Sequence, residues 1–238
     1  MLKIAHLFPE LLGTYGDGGN ALVLEARARR RGIDTDVLHV TLEDPVPDAD
    51  IYLLGGGEDG PQRQATYALQ RDTTLARRVS DGAVLLAVCA GFQIIGTSYE
   101  VDGDLNVEGL GLIDATTVRG SQRRVGNILS RVGDKWLVGF ENHGGETDLA
   151  IDESGFGEVI KGYGNGRHLG LDTRRFDGVH QGNIFGTYAH GPVLALNPWF
   201  ADELLSVATG RDLAPLDGYA EQLHRQRVAI VGGVDITY

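Results

Sequence analysis

Cysteine occurs once, at Cys89, in 238 residues. That excludes an internal disulfide and a thiolate-rich zinc site, and it fits a cytoplasmic protein. Positive charge is also scarce: Lys+Arg 21 against Asp+Glu 33 leaves a formal net charge of −12. So acidic a chain is unsuited to nucleic acid or to an anionic membrane surface. No apolar run approaches the ~18 residues of a membrane span. The opening Met1-Leu2-Lys3-Ile4-Ala5-His6 reads as a strand and lacks the apolar stretch and cleavage site of a signal peptide. No G-x-x-x-x-G-K-[ST] loop occurs, so no phosphate cradle of that kind is available for driving a reaction with ATP. Nothing in the residue pattern asks for a metal ion.

Glycine is in excess: 35 residues, about twice the ordinary ~7%. Proline, at 7, is sparse. The glycines cluster in Gly13–Gly19, Gly55–Gly60, Gly139–Gly145 and Gly162–Gly170, where a backbone must turn sharply or approach a ligand closely. Hydrophobic residues at 42% and charged residues at 23% give an ordinary globular balance, which rules out wholesale disorder.

The periodicity predicts strands at Lys3–Phe8, Ile33–Val40, Asp50–Leu54, Ala83–Val88 and Asn183–Tyr188. Helices are predicted from Asn20 to Gly32, from Pro61 to about Ser80, over Gly91–Ser98, over Pro198–Gly210 and over Leu216–Val228. The three arginines before Gly32 suit the negative end of the first helix. Between about 100 and 188 helical periodicity fades, and short, partly antiparallel strands are expected. The alternation of strand and helix implies an α/β fold: an open, mostly parallel sheet flanked by helices. No linker or repeat interrupts the chain, so one domain over 1–238 is the simplest reading.

Cys89 is the strongest chemical lead. It ends the apolar strand Ala83–Val88 and precedes Ala90-Gly91. A residue on a sharp turn from a strand into a helix is lifted into the cleft where open α/β sheets bind ligands. A helix N-terminus favours thiolate, the nucleophilic form. The bland alternative is a buried core cysteine. A thiolate needs a base, and there are seven histidines: His6, His39, His143, His168, His180, His190 and His224. His190 follows the strand ending at Tyr188, and strand C-termini of a parallel sheet share one edge, so it can meet Cys89. His143, in Glu141-Asn142-His143-Gly144-Gly145, is its competitor. Amides freed by Gly55-Gly56-Gly57 can face an oxyanion, or can simply form a turn. Gly16-Asp17-Gly18-Gly19-Asn20-Ala21 fits G-x-G-x-x-A formally, but its loop is too long and Asp17 would repel a pyrophosphate. Arg119, Arg123 and Arg124 form a small basic group, one of which could hold a carboxylate.

Taken together these segments resemble the class I, or triad, glutamine amidotransferases, which are flavodoxin-like, in their cobyric-acid-synthase-like branch. Within it they are most similar to the glutaminase subunits of lipid II isoglutaminyl synthases. The match is carried by Tyr15–Asn20, Gly55–Asp59, Cys89-Ala90-Gly91-Phe92-Gln93, Glu108-Gly109-Leu110-Gly111, Phe140–Gly145, Gly162-Tyr163-Gly164-Asn165 and Gly186–Pro192.

The resemblance implies that Cys89 attacks the side-chain amide of L-glutamine and that His190 shuttles the proton. It implies an oxyanion held by amides near Gly56, Gly57 and Ala90. Arg123, with Arg124 as the neighbouring alternative, would clamp the α-carboxylate of glutamine. Typical members carry a Glu two residues after the histidine; here Pro192 stands there, leaving either a Cys–His dyad or a third residue such as Asp17. No cofactor is implied in this chain. ATP is expected on a Mur-ligase-like synthetase subunit, which would form a heterodimer with it. The ammonia would amidate the α-carboxyl of D-glutamate in the lipid II stem peptide, a step of peptidoglycan synthesis that bears on the cell wall and cell shape. Two other readings stand beside this one: an amidotransferase for another acceptor such as a corrinoid, and a non-catalytic α/β binding module.

Overall fold

The structure, a computed structural model, describes residues 1–101, 105–150, 155–166, 174–216 and 218–233. Its first half alternates strand and helix: β1 (Leu2–Leu7), α1 (Gly19–Arg29), β2 (Thr35–Val40), β3 (Ile51–Leu54), α2 (Asp59–Arg71), α3 (Thr74–Ser80), β4 (Val84–Val88) and α4 (Ala90–Ile94). Strands then dominate: β5 (Ser98–Val101), β6 (Leu105–Glu108), β7 (Ala115–Val132), β8 (Lys135–Leu149), β9 (Gly157–Lys161), β10 (Phe176–Asp177), β11 (Val179–Gln181) and β12 (Ile184–Thr187). The chain continues in α5 (Val193–Leu196), α6 (Pro198–Thr209) and α7 (Tyr219–Gly232).

The first sheet has six strands in the order β11-β12-β4-β3-β1-β2. Every pairing in it is parallel except β11 with β12. At its centre, β4 is buried at every position, as a strand covered on both faces must be, and its unbroken Val-Leu-Leu-Ala-Val run supplies only apolar side chains. Because β1, β3, β4 and β12 run the same way, Asp17, Gly55–Gly57, Cys89 and His190 all follow strand C-termini and gather along one edge.

A second, mixed sheet runs β10-β9-β7-β5-β6, with β8 paired to β7. The β7–β8 hairpin is its main feature and turns at Gly133, whose φ of 59° suits glycine. Its ladder is interrupted between Arg119 and Arg124. The hairpin reaches the first sheet through an antiparallel bridge between Phe140 and His190, their backbones exchanging hydrogen bonds of 3.1 and 2.8 Å.

Two predicted helices come out differently. The span Pro61–Ser80 is two helices, because Asp72 leaves the helical conformation with φ −105° and ψ 101°. Its carboxylate accepts the Thr74 amide at 3.0 Å and the Val46 amide at 2.8 Å, an alternative to the helical ladder. The helix placed at Gly91–Ser98 ends at Ile94, and the chain turns into the second sheet with the Thr97 amide on Ala115 O at 2.7 Å. The arginines near the end of α1 also do more than face a helix terminus. Buried Arg27 bonds Asp202 of α6 at 2.6 and 2.7 Å and Glu221 of α7 at 2.9 Å, and Arg31 pairs with Asp202 at 2.8 Å.

Candidate active site

Cys89 sits between β4 and α4 with φ 52° and ψ −105°, a backbone conformation that costs a non-glycine residue of order 1–3 kcal/mol. The surroundings hold it there. Its amide donates to Thr187 O at 2.9 Å, and the Gly91 amide donates to Gly55 O at 3.1 Å. A Cβ on Gly91 would lie 2.7 Å from Leu54 O, so glycine is required two residues past the cysteine. The result is a nucleophile elbow that turns a nearly buried sulfur to the floor of a cleft of about 450 Å³. Its Sγ is 4.0 Å from Asn142 O.

The His190 ring is buried beside it. Nδ1 donates to the buried Asp17 carboxylate, 3.1 Å from Oδ2 and 3.3 Å from Oδ1. The remaining nitrogen, Nε2, makes no hydrogen bond of ordinary geometry, yet Cys89 lies close enough to act on the ring. Burial disfavours the imidazolium, but the Asp17 hydrogen bond and the proximity of the Cys89 sulfur outweigh it, and the His190 pKa is pushed up to about 10.

Asp17 is therefore the group that orients His190, a question the sequence reading left open. Its Oδ2 also accepts the Gly56 amide at 2.8 Å. That revises the expectation for Gly56: its N–H is committed to Asp17 and is not free for an oxyanion. Gly56 matters instead through its missing side chain, since a Cβ there would lie 2.5 Å from His190 Cε1 and 3.1 Å from Tyr15 Cδ2. Gly57 and Ala90 line the cleft beside Cys89.

His143 also borders the cleft, but both its nitrogens face other groups. Nδ1 meets Gly145 O at 2.9 Å, and Nε2 lies 3.5 Å from the Glu141 carboxylate. Its ring stacks on Tyr188 with centroids 3.8 Å apart. Glu141 is held in turn by the amides of Tyr163 and Gly164 at 3.0–3.1 Å. His168 lies outside the described residues.

The two candidate arginines part company. Arg123 lines the cleft, with Nε on Asn142 Oδ1 at 2.7 Å and a terminal nitrogen on Tyr15 OH at 2.9 Å. Arg124 turns away, 3.3 Å from Glu146 and with its guanidinium 4.2 Å from the centre of the Tyr163 ring. Among the described residues, no group of three His, Cys, Asp or Glu is placed to hold a metal ion.

Residues 3–198 match the model of the CobB/CobQ-like glutamine amidotransferase domain. The chain belongs to that family. The lipid II isoglutaminyl synthase (glutamine-hydrolyzing) subunit GatD of Staphylococcus aureus is 35% identical over 221 residues, covering 91% of this chain and 88% of the relative. The subunit of the same name from Streptococcus pneumoniae is 36% identical over 213 residues, covering 87% and 80%. Among solved structures, a chain of PurLQS from Thermotoga maritima superposes with a TM-score of 0.55 at 15% identity, covering 88% of this chain and 96% of that one, and so shares the fold.

The glutamine amidotransferase also holds a buried polar chain that sequence reading missed. Gln62 Nε2 donates to Gln93 Oε1 at 2.9 Å, and Gln93 Nε2 donates to Tyr188 OH at 3.1 Å. Tyr188 OH meets Thr147 Oγ1 at 2.6 Å, which meets Thr117 Oγ1 at 2.7 Å. A Cβ on Gly145 would lie 2.5 Å from Gln93 Nε2, so glycine at 145 leaves room for the chain. The one sequence signal was Gln93, inside the Cys-Ala-Gly-Phe-Gln segment. Among the described residues no helix is long and apolar enough to cross a membrane.

Proposed function

We propose that this amidotransferase is the glutaminase subunit of a lipid II isoglutaminyl synthase and acts in the cytoplasm. The observation that carries the glutaminase reading is the Asp17–His190 pair beside the strained Cys89 at one edge of the parallel sheet. The Cys89 thiolate attacks the side-chain carbonyl carbon of L-glutamine. The oxygen becomes an oxyanion facing the amides of Gly57 and Ala90. His190, held by Asp17, gives its proton to the amide nitrogen; the C–N bond breaks and ammonia leaves. The γ-glutamyl thioester remains on Cys89. His190 then takes a proton from water, the hydroxide adds to the thioester, and glutamate departs as thiolate is restored. Arg123 holds the substrate α-carboxylate through charge-assisted hydrogen bonds.

The acceptor is inferred from the two GatD relatives, which match this chain over most of their own length. On that reading the ammonia passes to a Mur-ligase-like synthetase subunit that activates the α-carboxyl of D-glutamate in the lipid II stem peptide with ATP. D-isoglutamine results. The relatives favour this acceptor over a corrinoid. The test has two stages. Ammonia release from L-glutamine, measured with the unaltered chain and with Cys89→Ala, is expected to vanish in the variant; full release by the variant removes Cys89 as nucleophile. Mixing the chain with such a synthetase, ATP and lipid II is expected to give amidated lipid II, and amidation of a corrinoid instead would reassign the acceptor.

A further inference from the structure

At the rim of the Cys89 cleft an anion and a cation stand side by side. Glu58 Oε1 lies 3.8 Å from a terminal nitrogen of Arg123, and the two side chains are 57% and 51% exposed. Glu58 occupies the N-cap position of α2, yet its carboxylate makes no capping hydrogen bond. It is turned to the cleft instead, where it accepts a 2.6 Å hydrogen bond from Tyr15 OH. Tyr15 OH in turn accepts from Arg123, and the Tyr15 ring lies 4.8 Å from the His190 ring. Glu100, which also lines the cleft, is tied to the Arg119 amide at 2.7 Å.

We propose that Glu58 receives the α-ammonium group of the substrate while Arg123 takes its α-carboxylate. The inference rests on the glutaminase reading and adds a specificity residue to it. An α-amino acid carries opposite charges on substituents of a single carbon, so its complement is a cation and an anion placed side by side. Glu58 and Arg123 provide that complement on the wall of the cleft that holds Cys89. Tyr15 OH bridges the two and keeps both side chains in place. Without Glu58 the site would bind any short carboxylate that bears a terminal amide; with it, the ammonium group contributes to binding.

Calorimetry on the Cys89→Ala chain, which cannot turn substrate over, provides the test. L-glutamine is compared with glutaramate, which keeps the carboxylate and the amide and lacks the ammonium. The chain with Glu58 is expected to bind L-glutamine more tightly. Adding Glu58→Gln is expected to weaken L-glutamine about 10- to 100-fold and to change glutaramate less than about threefold. Equal losses for both ligands would mean that Glu58 only props Arg123, and no loss for L-glutamine would leave it without a role; either result overturns the inference and spares the glutaminase reading. Failure of the Glu58-containing chain to bind either ligand would overturn the glutaminase reading as well.

Discussion

The carboxylate of Asp17 and the imidazole of His190 meet at 3.1 Å from positions 173 residues apart in the chain. Asp17 lies in the loop after β1 and His190 in the segment after β12, and β3 and β4 stand between those two strands. The contact therefore requires the four parallel strands β1, β3, β4 and β12 to be assembled side by side.

Replacing Asp17 removes the support that Nδ1 receives. Asp17→Asn is expected to lower kcat for glutamine hydrolysis about 10²- to 10⁴-fold, the usual range for loss of positioned acid–base catalysis. It also changes the pH dependence of stability. The His190 pKa stands at about 10 in the fold, against 6.5 for the free side chain. Its stabilising contribution is thus fully present below about 6.5 and is lost as pH rises towards about 10. Urea unfolding measured across that window is expected to show a shallower decline in the variant.

Gly56 leaves the imidazole the space that a side chain there would fill. Gly56→Ala would place a methyl carbon 2.5 Å from His190 Cε1, so the ring must shift. A displacement near 1 Å costs about 10²-fold in rate. Loss of kcat on that scale is expected, with a smaller change in Tm than a core substitution produces.

The arginines separate by direction. Arg123→Ala is expected to raise KM for glutamine about tenfold or more, because a charge-assisted contact is lost. Arg124→Ala is expected to leave KM within about twofold, since Arg124 serves Glu146 and Tyr163. Steady-state kinetics on both variants checks the assignment.

Arg27 ties three helices together from a site with 6% side-chain exposure. Arg27→Ala leaves Asp202 with Arg31 alone and removes the Glu221 contact, and is expected to cost about 1–3 kcal/mol in denaturant unfolding, the range for loss of charge-assisted hydrogen bonds.

What the sequence made visible was local or topological. Cys89-Ala90-Gly91 announces its elbow because the strain, the small neighbours and the preceding apolar strand are adjacent in the chain. His190 could be paired with Cys89 because parallel strands end at a common edge. Asp17 stayed undecided because its partner is remote and the glycine loop around it has no periodicity. From sequence the Gly56 amide reads as an oxyanion donor because nothing local shows that Asp17 takes it. Arg124 stands as the alternative to Arg123 in the sequence because the ladder irregularity between Arg119 and Arg124 breaks the alternation that would assign their faces. The break at Asp72 was hidden for the same kind of reason: one of its partners, Val46, lies in a distant loop.

The central claim is that Cys89 forms a covalent bond to the γ-carbonyl carbon of glutamine with His190 as proton carrier. Acid quench of the enzyme during turnover of isotope-labelled L-glutamine, followed by mass spectrometry of the Cys89 peptide, tests it most directly. A γ-glutamyl adduct on Cys89 is expected in the unaltered chain and in His143→Ala, and its loss is expected in His190→Ala. Sustained ammonia release with no adduct at Cys89, or loss of the adduct only in His143→Ala, would contradict it.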